Sequence, residues 1–255
     1  PLIFEEFDFS GYDLVISSTS AEAKDIITKP GTIHVCYCHT PIRYFWSDYH
    51  KYLGERLEFG WLNPIIRLVM PLMTYNLRIT DRLGAERVDY FIANSLYVKN
   101  RIAKYYRRQA KVIYPPVEKF DKKDNKTQKF GNKLGGKKIY KDFYLCFGRL
   151  VPYKRADLAV AAFLQSGKRL IVAGDGPHMS MLKKMVGGAK NIELLEGVDD
   201  NKKKILLQNC RALVFPGEED FGIVPVEAMM YGKPVVAYGR GGARETVIEG
   251  KSGVL

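Results

Sequence analysis

Two carboxylates, Glu219 and Glu227, stand eight residues apart in the stretch Glu-Asp-Phe-Gly-Ile-Val-Pro-Val-Glu. The apolar run from Ala212 to Pro216 ahead of them reads as a strand, and Gly222-Ile223 as the opening of a helix. Glu219 therefore falls in the turn and Glu227 on the helix. A strand end facing a helix N-terminus leaves backbone N–H groups free and turns the positive end of the helix dipole toward the gap, which suits an anion. A carboxylate at the lip of such a site accepts hydrogens from sugar hydroxyls. One farther along the helix reaches a second diol. The segment suggests a phosphate flanked by polyols, as in a nucleotide-sugar.

Arg149 and Lys154 flank a second strand–turn–helix junction, after the run 143–147. Arginine offers phosphate oxygens a planar fork of donors, and lysine a compact point charge. Together they neutralise a departing diphosphate without a metal, where negative charge grows as the bond breaks. By position alone they also fit a solvated helix start; Arg155 reads as a surface charge. Glu227 is crowded by Val226, Ala228 and Met229, which favours a ligand over plain exposure. Phe221, Gly222 and Ile223 offer backbone N–H groups, and Gly222 lacks a Cβ that would hinder close approach. Glu218 and Asp220 read as solvent-facing. His39 and Arg43 follow the run Ile33–Cys38, at its carboxyl end.

These motifs resemble those of retaining glycosyltransferases with two Rossmann-like domains, the GT-B architecture, family 4. The Glu219/Glu227 pair resembles the family's double-glutamate signature. Phe147-Gly-Arg-Leu150 with Tyr153-Lys-Arg155 resembles its diphosphate-binding pair. Ala173-Gly-Asp-Gly-Pro177 and Gly239-Arg-Gly-Gly-Ala-Arg-Glu245 follow in family order. Cys38-His-Thr-Pro-Ile-Arg-Tyr-Phe-Trp46, Asp89-Tyr-Phe-Ile-Ala-Asn-Ser95 and Val112-Ile-Tyr-Pro-Pro-Val117 resemble a mannosyltransferase branch of cell-surface polysaccharide and lipopolysaccharide synthesis.

The resemblance implies catalytic roles for Arg149, Lys154 and Glu219. It implies donor contacts at Gly148, Val198, Phe221, Gly222, Ile223 and Glu227, and sugar contacts at His39 and Arg43. The implied donor is a nucleotide-sugar, GDP-mannose before a UDP-sugar, used without a metal. The implied acceptor is a lipid-linked or polysaccharide saccharide. Relative to the family, an opening strand with its glycine-rich loop and the closing helices are missing, which implies a piece of a longer enzyme. A non-catalytic nucleotide-sugar-binding module, or an epimerase or phosphorylase of the same architecture, is the alternative.

The elements that must hold these residues are legible from alternation. Short apolar runs at 13–17, 33–38, 90–93, 111–114, 143–147, 169–173, 191–195, 212–215 and 234–238 read as strands. Stretches near 20–28, 43–52, 64–83, 95–108, 154–166, 178–187, 200–209, 222–231 and 242–248 read as helices. This is an α/β pattern: two parallel sheets with right-handed crossovers, facing a cleft, with ligands beyond the strand carboxyl ends. The proline pair in Tyr114-Pro-Pro-Val117 marks the boundary. The expected organisation is an acceptor-side domain over 1–117, a lysine-rich connector over 118–141 and a donor-binding domain over 142–255. Gly174-Asp-Gly-Pro lacks G-x-G-x-x-G spacing and reads as a structural turn.

The net charge is +12, and nine lysines against three carboxylates lie in the connector 118–141. A solvated linker is the plain reading and an anionic membrane surface the sharper one. No nucleic-acid partner is expected, because the few aromatic residues of the connector, Phe120, Phe130 and Tyr140, are not interleaved for base stacking. Residues 59–78 are long and apolar, but Arg67 and Pro71 interrupt any membrane span. A helix packed on the first domain competes with an interfacial helix carrying Trp61, Arg67 and Arg78. Cys36, Cys38, Cys146 and Cys210 lie in apolar runs, as buried reduced thiols of a cytoplasmic protein do. The expected place is cytoplasmic, peripheral on the inner membrane face. His34, Cys36, Cys38 and His39 do not make a zinc site, since alternate residues of one strand lie about 6.5 Å apart and cannot wrap a tetrahedral ion.

Overall fold

The computed structural model describes residues 2–50, 63–118 and 142–255, together with a short antiparallel ribbon, Lys133–Leu134 with Lys137–Lys138. Trp61, Leu62 and most of the 118–141 connector lie outside the described residues. The chain divides into two compact units, Pro1–Tyr114 and Pro115–Leu255.

The first unit carries four parallel strands: β1 (Leu14–Thr19), β2 (Ile33–Cys38), β3 (Tyr90–Ala93) and β4 (Ala110–Val112), adjacent in chain order. Helices α1 (Asn63–Glu86) and α2 (Leu96–Tyr105) cross between strands. Cys36, Cys38, Phe91, Ala93, Val98, Ile102 and Tyr106 form the core. Ser95 caps α2 by accepting from the Val98 N–H at 3.0 Å. Caps of this kind satisfy a donor that the helix leaves free.

Among its described residues helix α1 buries Thr74, Asp81, Gly84 and Ala85, whereas Val69, Leu72, Met73, Ile79 and Leu83 are exposed together with Asn76, Thr80, Arg82 and Glu86. Asp81 explains the buried polar side. Its carboxylate takes the buried Lys24 ammonium at 2.6 Å and the Trp46 indole N–H at 2.6 Å. Tyr106 donates to it at 3.2 Å. Lys24 also meets Asp25 at 2.9 Å. Burial lowers the Lys24 pKa, but the attraction of Asp81 and Asp25 outweighs it and leaves the ammonium above its ordinary value. A Cβ on Gly84 would stand 1.8 Å from Asp25 Oδ1, so only glycine lets α1 approach.

Two expected helices of this unit are corrected. Over 20–28 there is only one tight turn, Glu22–Lys24, because Lys24 is drawn inward to Asp81. Over 43–52 the described part is mainly a chain of turns. The Phe45 and Trp46 amides both donate to Ile42 O, and Asp48 to Arg43 O, so no single ladder propagates. Trp46 is pulled aside by Asp81 and stacked on Tyr105 at 5.1 Å.

The second unit is a six-stranded parallel sheet: β5 (Tyr144–Phe147), β6 (Leu170–Ala173), β7 (Ile192–Leu195), β8 (Leu213–Phe215), β9 (Val235–Ala237) and β10 (Gly253–Val254). Its spatial order is β10-β9-β8-β5-β6-β7. The chain winds outward from β5 through β6 to β7, then returns to β8 on β5's other side. That doubly wound order places a topological switch point between β5 and β8, where loops diverge and leave a crevice beyond the strand ends. Helices α3 (Ala156–Ser166), α4 (Met179–Val186), α5 (Asp200–Asn209), α6 (Ile223–Met230) and α7 (Ala243–Thr246) complete the unit. Two apolar clusters form its core, one around Leu145, Leu206, Leu213 and Val235, the other around Val160, Leu170, Val172 and Leu182.

Candidate functional site

The crevice at the switch point is built by the turns after β5 and β8. Phe147, Gly148, Arg149, Lys154, Gly217 and Glu219 line a cavity there. Gly148 has φ +148°, and a Cβ on it would stand 3.3 Å from Lys154 Nζ. A Cβ on Gly174 would lie 2.0 Å from Gly148 O, and one on Gly217 2.7 Å from Lys154 Cα. Three loops thus meet backbone to backbone, an approach that only residues without a Cβ permit. Within this frame Lys154 Nζ lies 2.6 Å from Glu219 Oε1, with both side chains about four-fifths buried. Arg149 beside them is exposed and forms no ion pair among the described residues. Arg155 pairs outward with Asp157 at 3.0 Å.

The Glu219 turn is clamped from above. The Gly242 amide donates to Glu219 O at 2.8 Å. A Cβ on Gly242 would stand 2.4 Å from Phe221 Cα and 2.6 Å from Asp220 O, and one on Gly241 2.2 Å from Glu219 O. The Gly239–Glu245 motif is therefore the lid that shapes this turn. It also corrects one expectation: Glu218 and Asp220, expected to face solvent, are half-buried beneath that backbone. Phe221 is buried, and Gly222 is the N-cap of α6 at φ +84°, a left-handed conformation that favours glycine. Ile223 opens the helix and is exposed.

One turn into α6, Glu227 Oε1 accepts from Lys203 Nζ of α5 at 2.6 Å. Its second oxygen, Oε2, is buried with no hydrogen-bond partner among the described residues. Both residues line a cavity of about 290 Å³ between α5 and α6, closed on another side by Pro116, Val117 and Glu118. Val198 is half-buried against the core, in the loop after β7. The Gly197 N–H of that loop donates to Asp175 Oδ1 at 3.1 Å, and its carbonyl accepts from Lys202 Nζ at 3.0 Å.

His39 and Arg43 belong to the first unit. His39 is exposed at the carboxyl end of β2, its amide bonded to Thr19 O and its Nε2 3.0 Å from Ser18 Oγ. Arg43 is largely buried, 3.6 Å from Asp48. The second unit therefore brings together Gly148, Arg149, Lys154 and Glu219 in one crevice, and Glu227 with Ile223 on a neighbouring cavity. Lys203, Lys202, Asp175 and the Gly241–Gly242 pair were not predicted from sequence. Lys202 and Lys203 read there only as positive charge, because their partners lie on other elements. The Gly-Gly pair was legible as a motif but not as a clamp.

The profile of the family described as glycosyl transferases group 1 matches residues 126–255. The chain is 32% identical to the alpha-1,3/1,6-mannosyltransferase ALG2 of Dictyostelium discoideum over an alignment of 294 positions with its gaps, covering 97% of this chain and 64% of that protein. It is 30% identical over 200 residues to the D-rhamnosyltransferase WbpZ of Pseudomonas aeruginosa, covering 75% and 50%. Among solved structures, Anabaena Alr3699/HepE in complex with UDP-glucose superimposes with a TM-score of 0.65 at 22% identity, over 95% of this chain and 64% of that one. Sucrose-phosphate synthase from Thermosynechococcus elongatus gives 0.69 at 17%, over 96% and 60%. At such identities these structures bear on the fold alone. The chain spans about half to two thirds of the length of these curated relatives.

Proposed function

Since the chain belongs to the glycosyl transferases group 1 family, we propose that it is part of a glycosyltransferase, a retaining mannosyltransferase. The donor is a nucleoside diphosphate sugar, GDP-mannose before a UDP-sugar, and the acceptor a lipid-linked or polysaccharide saccharide. The observation that carries this reading is the convergence of Lys154, Glu219 and Arg149 at the switch point. Ligands of doubly wound sheets bind at such points. The mannosyltransferase relatives support the sugar; a UDP-glucose-bound neighbour of the same fold makes the base the property to measure.

In this proposal the bond from the anomeric carbon to the phosphate oxygen breaks first, leaving an oxocarbenium-like sugar. The acceptor hydroxyl oxygen then bonds to that carbon from the same face, and its proton passes to the departing phosphate oxygen. The Arg149 fork and the Lys154 ammonium stabilise the charge growing on the diphosphate. The N–H groups near Phe221, Gly222 and Ile223 add donors, Glu219 orients the sugar, Glu227 takes the ribose diol and Val198 borders the base. His39 and Arg43 contact donor sugar or acceptor. These roles use no metal.

A membrane-borne acceptor is supported by α1, whose exposed side includes Leu72, Met73, Ile79 and Leu83. Among the described residues no helix is long and apolar enough to cross a membrane, so the attachment proposed is peripheral.

The test is a thermal-shift panel of GDP, UDP and ADP with their sugar conjugates, since a ligand that binds only the native state raises its stability by mass action. The chain is then incubated with the best conjugate and a lipid-linked saccharide. Stabilisation by GDP and GDP-mannose with a new α-linked product is expected. Stabilisation without turnover, with or without acceptor, would instead favour a nucleotide-sugar-binding module.

A further inference from the structure

Three consecutive lysines, Lys202, Lys203 and Lys204, follow Asp200 and Asn201 in α5, and each reaches a different piece of the second unit. Lys202 Nζ lies 3.0 Å from the Gly197 carbonyl, Lys203 Nζ 2.6 Å from Glu227 Oε1, and Lys204 Nζ 3.5 Å from Glu118 Oε2. Successive helical residues point about 100° apart, so one turn can fan its side chains in this way. The turn itself is fixed: Asp199 caps it, its carboxylate accepting from the Lys202 N–H at 2.7 Å. The Gly197 loop is held from its other side by Asp175.

The Lys203–Glu227 contact differs from a surface ion pair. The side chains are 22% and 17% exposed, and the pair bridges α5 to α6 on the wall of the 290 Å³ cavity. An exposed pair such as Lys183–Glu196, at 59% and 49%, contributes little. A part-buried, charge-assisted contact is stronger and fixes geometry. It occupies one oxygen of Glu227 and leaves the other, Oε2, buried and unsatisfied among the described residues. Buried acceptors without partners are uncommon in native proteins and call for a reason. A ligand hydroxyl donating to Oε2 supplies one.

We infer that Lys203 is the positioning residue for Glu227. It holds one carboxylate oxygen so that the other is presented to a diol at the nucleoside end of the donor, while Lys202 steadies the loop beside it. The inference rests on the donor-site reading above. It assigns a role to a lysine that composition alone counts as surface charge.

The experiment measures calorimetric binding of GDP, UDP, their nucleosides and inorganic pyrophosphate to the full 255-residue chain. It compares wild type, Lys203→Met, Lys203→Arg, Glu227→Gln and the double variant Lys203→Met/Glu227→Gln. Circular dichroism establishes that each is folded. The expected loss for Lys203→Met is about ten- to a hundredfold in nucleoside diphosphate affinity, the worth of one charge-assisted bond. Pyrophosphate affinity should be unchanged, and Lys203→Arg should restore most of the loss. In the Glu227→Gln background the lysine substitution should have little further effect, because residues acting through one contact are not additive. Wild-type affinity in Lys203→Met, an equal loss for pyrophosphate, or an undiminished effect in the Glu227→Gln background would each overturn the inference while leaving the donor site standing. A wild-type chain that binds no nucleoside diphosphate would overturn both.

Discussion

Lys154 Nζ stands 2.6 Å from Glu219 Oε1, joining the turn after β5 to the turn after β8 across the switch point of the second sheet. The lysine assigned to the leaving phosphate is thus held by the carboxylate assigned to the sugar. A donor entering the crevice must draw Lys154 at least partly away from Glu219. Substituting Glu219→Gln removes that competition. Nucleoside diphosphate binding should be kept or tightened, while turnover with a sugar donor falls about 10²-fold or more, as for other transition-state contacts. Calorimetry and initial rates on one preparation separate the two; a proportional loss of both would make the pair a purely structural strut.

Arg149 is exposed, with no ion pair among the described residues to rearrange. Arg149→Ala should therefore weaken nucleoside diphosphate binding by roughly 1.5–3 kcal/mol and a nucleoside lacking phosphates far less. Equal losses for the two ligands, measured by titration calorimetry, would place the arginine outside the phosphate site.

Gly242→Ala tests the clamp on the Glu219 turn. The added methyl would meet Phe221 Cα at 2.4 Å and Phe221 O at 2.5 Å, so the backbone of the turn must shift. Donor affinity should fall at least tenfold, with a stability loss of about 1–3 kcal/mol. Gly188→Ala, where nothing lies within 4 Å, is the control and should change stability by about 0.5 kcal/mol or less. Denaturant melts of the two variants give the comparison.

Acid should destabilise the first unit through His34. Burial holds this imidazole below its ordinary value, against the pull of Asp89, while its Nε2 lies 2.8 Å from Ser17 Oγ. In the unfolded chain a histidine titrates near pH 6.5. Above that pH neither state is protonated there, and the group leaves stability unchanged. Below it the unfolded chain gains a proton that the folded one resists, so stability falls as pH drops from about 6.5 toward the depressed folded value. Melting temperatures between pH 7.5 and 5 should show this decline, and a folded His34→Gln variant should show a shallower one. An identical slope in both would remove His34 as the cause.

The exposed apolar side chains of α1 predict lipid binding. Co-sedimentation with vesicles should rise with anionic lipid, fall with salt, and drop when Leu72, Met73 and Ile79 become serine, since stable attachment takes both an apolar and an electrostatic component. These side chains are already exposed, so the substitutions should leave the melting temperature nearly unchanged. Binding indifferent to lipid charge and to the serines would leave α1 without a membrane role.

All nine expected strands are present, because short apolar runs between amphipathic ones have few other packings. Arg149, Lys154 and Glu219 were likewise legible, as charged residues at junctions between strand and helix. Two helices were misjudged for one reason. Local pattern favours a helix at 20–28 and 43–52, but Lys24 and Trp46 are both claimed by Asp81, far along the chain. The same carboxylate is drawn inward on α1 while Leu72, Met73 and Ile79 stay exposed. The partners of Glu219 and Glu227 were also beyond sequence reading. Lys154 and Lys203 meet them only because the sheet order sets β8 beside β5 and α6 comes to lie beside α5. Sequence by itself determined the alternation of elements and the chemistry available at their ends, since both depend on near neighbours. Tertiary structure decided which charges meet, because ion pairs and backbone contacts at glycine form between residues brought together by strand order.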